Sequence, residues 1–264
     1  RCMGLRLFAA PGAPPGAAPD AAPDAAPDAA PDATPAATRR AALVLHGRNG
    51  AVAAPHIQVI VAALMAAEYT VVVPNMRHSA ANDSAGAPEG FRVATHVEDG
   101  RRARAWMAGP EAQAAGVPQG PVLAVGHSFG GFAALALALE DGAGIAGVLG
   151  VAPVASGPLL LAARRAMGPP ALEALEREVP GATADYAAHD LMPRAGEIGQ
   201  PAALIVGARD GLVRPADVAA LAARLPALVA HDVVAGEDHC PSGGAYRDRL
   251  AAQIAALGRR LETG

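Results

Sequence analysis

From residue 41 onward, the sequence alternates short runs of aliphatic and β-branched residues with segments of helical periodicity. Strands joined through helices tend to pair in parallel, because a parallel neighbour needs a long crossover connection. A hydrophobic fraction of 52% suits a sheet that is buried under helices. We therefore predict an α/β domain with a mostly parallel central sheet and helices on both faces. The predicted strands are Ala42–Leu45, Thr70–Pro74, Val122–Val125, Ile145–Val151, Ala203–Val206 and Val229–Val234.

Helical patterns fill most of the connections between these strands. An apolar stripe that begins at Ile57 and ends at Met65 predicts the first helix, and another helix is predicted to end near Trp106. The later predicted helices are Gly130–Glu140, Pro215–Leu225 and 245–261. Residues 155–200 are less regular. Short helices at Leu159–Met167 and Ala171–Val179 favour either a small lid or a crossover helix with a long loop.

The region before residue 41 is partly of low complexity. Residues 11–38 consist mostly of Ala, Pro, Gly and Asp, and Ala-Ala-Pro-Asp recurs through them. Because a proline at every fourth position blocks both a helix and a strand ladder, we interpret this segment as a spacer. It is either a tail before the domain or, as we favour, an expanded loop between a short strand at Leu5–Phe8 and the next strand. Residues 1–40 are thus set apart from a single domain over residues 41–264.

Composition narrows the classes of function. All 21 basic residues are arginines, so P-loop phosphate binding and Schiff-base chemistry lack their usual lysine. A net charge of −4 with scattered arginines argues against nucleic acid as a partner and favours a small-molecule substrate. No apolar run is long enough to span a membrane. The cysteines Cys2 and Cys240 imply no disulfide framework.

These features favour a cytoplasmic location, whereas a signal segment upstream of Arg1 would make the protein secreted or envelope-associated. The sequence does not predict the oligomeric state.

One motif carries a specific chemistry. Gly126-His127-Ser128-Phe129-Gly130 lies directly between a predicted strand and a predicted helix. A sharp strand-to-helix turn needs small residues two positions either side of its centre, and it exposes the central serine near a helix N-terminus. We therefore predict that Ser128 is a nucleophile. The alternative is a glycine-rich helix start whose serine is only an N-cap.

From this motif and those that follow it, residues 41–261 resemble the α/β-hydrolase family. In that family an acid and then a histidine follow the nucleophile in sequence. Gly207-Ala208-Arg209-Asp210-Gly211 resembles the acid turn, and Gly236-Glu237-Asp238-His239 resembles the histidine loop. The resemblance implies an α/β-hydrolase fold with a small or reduced lid, and a catalytic set of Ser128, Asp210 and His239. We expect Glu237 and Asp238 to be solvated loop charges.

The resemblance also implies an oxyanion hole. His46-Gly47-Arg48-Asn49-Gly50 is similar to the His-Gly loop of the family, so the expected donors are the backbone N–H groups of Phe129 and Arg48. Gly47 lets the loop pass close to a substrate. We expect His46 to brace this loop beside the substrate.

The remaining histidines are weighed against ordinary structural roles in a helix, loop or strand, which we expect for His56, His96, His189 and His231. His127 is expected to face the pocket or to pack beside the nucleophile. His78, in a polar loop that follows a strand, lines the substrate entrance in one interpretation and the open surface in the other. No histidine pair has the spacing of a zinc site, so neither a metal nor a cofactor is predicted.

Taken together, these motifs predict a serine hydrolase that cleaves a carboxylic ester, thioester or amide through an acyl-serine intermediate. An acyltransferase would use the same residues with an acceptor other than water. A non-catalytic binding module on this fold is the third alternative.

Overall fold

A computed structural model describes residues 4–9 and 40–263. Its seven-stranded sheet has the order β1-β3-β2-β4-β5-β6-β7, in which β2 to β7 are mutually parallel and β1 pairs antiparallel with β3 at one edge. The predicted parallel sheet is thereby confirmed. The strands are β1 (Leu5–Phe8), β2 (Ala41–Leu45), β3 (Thr70–Pro74), β4 (Val122–His127), β5 (Ile145–Val151), β6 (Ala202–Gly207) and β7 (Leu228–Val234).

The helices follow the predicted pattern closely. They are α1 (Pro55–Ala66), α2 (Val93–Met107), α3 (Pro110–Ala114), α4 (Phe129–Glu140), α5 (Gly157–Ala166), α6 (Pro169–Glu178), α7 (Ala182–Ala187), α8 (Pro215–Ala222) and α9 (Gly244–Glu262). Helix α8 ends three residues earlier than predicted. The sequence analysis missed α3 and α7, which span only 5 and 6 residues and so show little periodicity.

The sheet separates two hydrophobic cores. Side chains alternate along β4, so that Val122 and Ala124 pack into one core and Leu123 and Val125 into the other. Helices α2, α4 and α8 contribute to the first core, and α1 and α9 to the second. Helices therefore cover both faces, as predicted, and every strand from β2 to β6 is almost completely buried.

The segment between β5 and β6 is a compact insertion of three helices, α5 to α7. Its two ends meet, because Gly157 N–H donates to His189 O at 2.8 Å and Leu191 N–H donates to Ala155 O at 2.9 Å. Tyr186 of α7 is fully buried and packs on Phe129 of α4, with ring centroids 4.8 Å apart. The insertion thus lies beside the start of α4.

The predicted spacer at residues 11–38 lies outside the described residues, so its interpretation stays a prediction. The strand predicted at Leu5–Phe8 is β1. Within residues 4–9 and 40–263, no helix is both long and apolar enough to cross a membrane.

Candidate active site

Ser128 forms the turn between β4 and α4. Its backbone has φ 56° and ψ −122°, a conformation that non-glycine residues rarely adopt. Residues with such strained backbones are concentrated at functional sites. The chain on either side is tightly apposed. A Cβ on Gly126 would lie 2.1 Å from Gly130 O, and one on Gly130 would lie 1.9 Å from Leu45 O. Both glycines are required because backbone occupies the space of a side chain.

Three side chains form a hydrogen-bonded series at the carboxyl ends of the strands. Ser128 Oγ lies 3.0 Å from His239 Nε2, and His239 Nδ1 lies 2.8 Å from Asp210 Oδ2. Because the carboxylate accepts, Nδ1 carries the proton and Nε2 offers its lone pair to the serine hydroxyl. This arrangement can withdraw the hydroxyl proton as the oxygen attacks an electrophile.

Asp210 is held rigidly after β6. Its side chain is completely buried, and its Oδ1 accepts the N–H groups of Leu212 and Val213, both at 2.9 Å. These two bonds leave Oδ2 to accept from His239. The turn of the chain after the strand therefore fixes the orientation of the imidazole through the carboxylate.

The loop after β2 runs directly past Ser128. A Cβ on Gly47 would lie 2.8 Å from Ser128 Cβ and 3.3 Å from its Oγ, so only glycine fits without displacing the serine. Among the hydrogen bonds of the described residues, none uses the backbone N–H of Arg48 or of Phe129 as its donor. Unpaired backbone N–H groups can stabilise a developing oxyanion, so these two groups stay the expected donors.

The side chain of Arg48 is engaged elsewhere. Its Nη1 lies 3.0 Å from Glu178 Oε2 at the end of α6, and the arginine side chain is only 16% exposed. The ion pair thus joins the loop after β2 to the helical insertion.

His46 is fully buried, and both of its ring nitrogens are used within the protein. Nδ1–H donates to Gly47 O at 2.9 Å, and Nε2 accepts Met76 N–H at 3.0 Å. Burial, together with the neighbouring His96, lowers the pKa of His46 to about 4, so the ring is neutral near pH 7. The His46 ring is therefore buried beneath its own loop, and neither of its ring nitrogens is available to a substrate.

His96, which was expected to be an ordinary structural residue, supports this loop from α2. Its Nε2–H donates to His46 O at 2.7 Å, and burial lowers its pKa to about 4. A signal was present in the sequence, because His96 lies on the same stripe of α2 as the buried Val93, Val97 and Gly100. A histidine on such a stripe needs a hydrogen-bond partner.

Of the other two predicted substrate-binding histidines, His127 packs against the ring of His239, with centroids 5.0 Å apart, whereas His78 lies within its own loop. His127 is 3% exposed, and its Nε2–H donates to the carbonyl oxygen of His239 at 2.7 Å. His78 packs against Gly86 and Gly90 of its own loop, where its Nδ1 is hydrogen bonded to Ala87 O at 2.9 Å. Within the described residues, no hydrogen bond joins His78 to the Ser128 series.

Comparisons with known proteins agree with this architecture. The model of the α/β-hydrolase fold family matches residues 42–179, more than half of the chain. No curated protein sequence matches the chain.

Three solved structures illustrate the likeness in fold. Est1E from Butyrivibrio proteoclasticus with bound ferulic acid has a TM-score of 0.70 at 14% identity, over 97% of this chain and 95% of that one. The Pyrococcus furiosus esterase Pf2001 has a TM-score of 0.67 at 18% identity, over 85% and 82%. Mouse alpha/beta hydrolase domain-containing protein 10 has a TM-score of 0.62 at 16% identity, over 84% of this chain and 90% of that one. By its match to the family model, the chain belongs to the α/β-hydrolase fold family.

Proposed function

We propose that this protein is a serine hydrolase that cleaves carboxylic esters through an acyl-serine intermediate. The observation that carries the proposal is the series from Ser128 Oγ through His239 to the buried carboxylate of Asp210, with spacings of 3.0 and 2.8 Å. These distances suit proton transfer from the hydroxyl to the imidazole.

The reaction follows from this geometry. Ser128 Oγ attacks the carbonyl carbon of the substrate while His239 Nε2 takes the hydroxyl proton, and Asp210 stabilises the imidazolium. The electron pair of the carbonyl bond moves to the oxygen, and the backbone N–H groups of Phe129 and Arg48 donate hydrogen bonds to the resulting oxyanion. When this tetrahedral intermediate breaks down, the alcohol leaves and takes the proton from His239, so that the acyl group stays on Ser128. A water molecule, activated by the same imidazole, then releases the acid and frees the serine.

The choice of an ester is supported by two of the solved structures. One structurally similar protein, from Pyrococcus furiosus, is named as an esterase, and another, Est1E, holds ferulic acid, which is a carboxylic acid. Thioesters and amides belong to the same reaction class and complete the substrate panel.

The test combines turnover with covalent labelling. Wild-type protein should hydrolyse p-nitrophenyl esters of short acids and should be labelled by a fluorophosphonate, and Ser128→Ala should lose both. Ser242→Ala is the matched control, because Ser242 is an exposed serine that should be dispensable. Equal labelling of wild type and Ser128→Ala would overturn the assignment of the nucleophile. Diversion of the acyl group to added alcohols in preference to water would identify the acyltransferase alternative.

A further inference from the structure

A second group of reactive side chains lies next to the Ser128 series without belonging to it. His56 from the start of α1, His127 from the end of β4 and Cys240 from the loop after β7 each offer one ligand atom, and these three atoms lie within 4.8 Å of one another. The two imidazole rings are in contact, with centroids 4.4 Å apart. Two imidazoles and a thiol are the donor set that zinc and related cations prefer.

The state of His127 points to a ligand. Its Nε2–H is donated to His239 O, so the tautomer leaves a lone pair on Nδ1. This Nδ1 is buried and, within the described part of the chain, has no hydrogen-bond partner. Buried polar atoms are almost always satisfied, and a metal-binding histidine characteristically donates its second ring N–H to a carbonyl oxygen. A cation on Nδ1 would complete the arrangement.

The charges around the group also suit a cation. Burial lowers the pKa of His127 and of His56, so both rings are neutral near pH 7 and keep their lone pairs. Burial and the nearby carboxylates of Asp238 and Asp210 raise the pKa of the Cys240 thiol. The same carboxylates attract a cation, which displaces the thiol proton to solvent when it binds.

We propose that His56, His127 and Cys240 form a binding site for a divalent cation of borderline softness, for which Zn²⁺ is the best match. Two nitrogens and one sulfur fill three positions of a tetrahedron. Since Cys240 is exposed and His56 is only half-buried, a water molecule can take the fourth position.

The site is coupled to the proposed hydrolase centre through one residue. Cys240 directly follows His239, and His127 holds the carbonyl oxygen of His239. Ligand atoms as far apart as 4.8 Å must approach one another to share a tetrahedral cation, which draws Cys240 inwards. We expect this movement to disturb His239 and lower hydrolysis, a consequence that rests on the proposed function.

Cobalt binding tests the site itself without reference to activity. Co²⁺ titrated into wild-type protein at pH 7 should bind at one ion per chain and give a thiolate-to-cobalt charge-transfer band. Cys240→Ser should abolish the band, and His56→Gln should weaken binding at least tenfold. Cys2→Ser is the matched control, because it removes the other cysteine of the chain and should keep the band. Circular dichroism checks that each variant is folded.

Absence of the band in wild type, or its persistence in Cys240→Ser, would overturn the site. In the activity arm, Zn²⁺ should inhibit ester hydrolysis, a chelator should restore it, and Cys240→Ser should be resistant. If Co²⁺ binds as expected but Zn²⁺ leaves hydrolysis unchanged, the coupling to His239 is overturned and the site stands. Loss of all hydrolysis in metal-free wild type would instead count against the proposed function.

Discussion

Gly130 in the first turn of α4 lies so close to Leu45 at the end of β2 that a Cβ on the glycine would be 1.9 Å from the leucine carbonyl oxygen. The turn that bears Ser128 is thus pressed against the strand that leads into the Arg48 loop. Neither backbone can move without the other, so the position of Ser128 relative to the Arg48 loop depends on the absence of a side chain at residue 130.

Gly130→Ala should therefore harm both stability and activity. We expect a loss of about 1–3 kcal/mol in the free energy of unfolding from overpacking, together with a large fall in ester hydrolysis. Urea unfolding and initial rates measure the two effects. Gly244→Ala, at a glycine with nothing near its Cβ position, is the control and should change neither. An unaltered Gly130→Ala enzyme would contradict the close contact.

Asp210→Asn should slow turnover by roughly 10⁴-fold while the protein stays folded, because an amide at this position favours the wrong imidazole tautomer. Asp238 offers a matched control. It precedes His239 in the chain, but its Oδ1 accepts the Cys240 N–H at 3.0 Å. Asp238→Asn should retain turnover within a few-fold, and comparable losses in the two variants would disprove the assignment of the acid.

Arg48 should act through its backbone. In Arg48→Ala the N–H remains, while the packing of the mostly buried side chain is lost together with its ion pair to Glu178, an interaction that contributes little when its partner is exposed. We expect kcat on a neutral ester to fall by less than about tenfold. Loss of an oxyanion donor typically costs roughly 10²–10³-fold, so a decrease of that size would assign the catalytic contribution to the side chain instead.

The pair His46 and His96 should make the fold sensitive to acid. The unfolded chain takes up protons on these rings below pH 6.5, whereas the folded chain does so only near pH 4, so stability falls as the pH decreases between these values. Each ring should account for about 2 kcal/mol between pH 7 and pH 5.

His96→Gln tests this linkage, because glutamine keeps a donor for His46 O. Unfolding in urea at pH 7 and pH 5 should show that the variant loses about 2 kcal/mol less than wild type over this interval. The same pH dependence in both proteins would rule out His96 as a source of acid sensitivity.

Features that are encoded by residues close together in the sequence could be predicted, whereas contacts between distant residues could not. Ser128 and its two flanking glycines lie within five consecutive residues, and the strands before Asp210 and His239 are short apolar runs, so pattern and order were sufficient to predict this set of residues. The supporting contact of His96 was not predicted because its partner is a backbone carbonyl fifty residues away. A contact of this kind exists only after α2 has packed on the sheet.

The group of His56, His127 and Cys240 shows the same limit more strongly. Zinc motifs are recognised from short spacings between ligands, and these three residues come from one helix, one strand and one loop. The sequence analysis predicted no metal for that reason. Only the folded chain brings the side chains together, so only the structure suggests a site.

Because β1 is antiparallel to β3, the connection from β1 to β2 and the residues Ser128, Asp210 and His239 lie at opposite ends of the parallel strands. Phe8 pairs with Val71 and Ala41 pairs with Thr70, so both ends of the undescribed segment at residues 10–39 meet the sheet where β3 begins. Ser128, Asp210 and His239 all follow the opposite ends of their strands. A strand of five residues separates these ends by roughly 16 Å. Insertions or deletions between Phe8 and Ala41 therefore join the described fold at the strand ends opposite to the proposed Ser128 site.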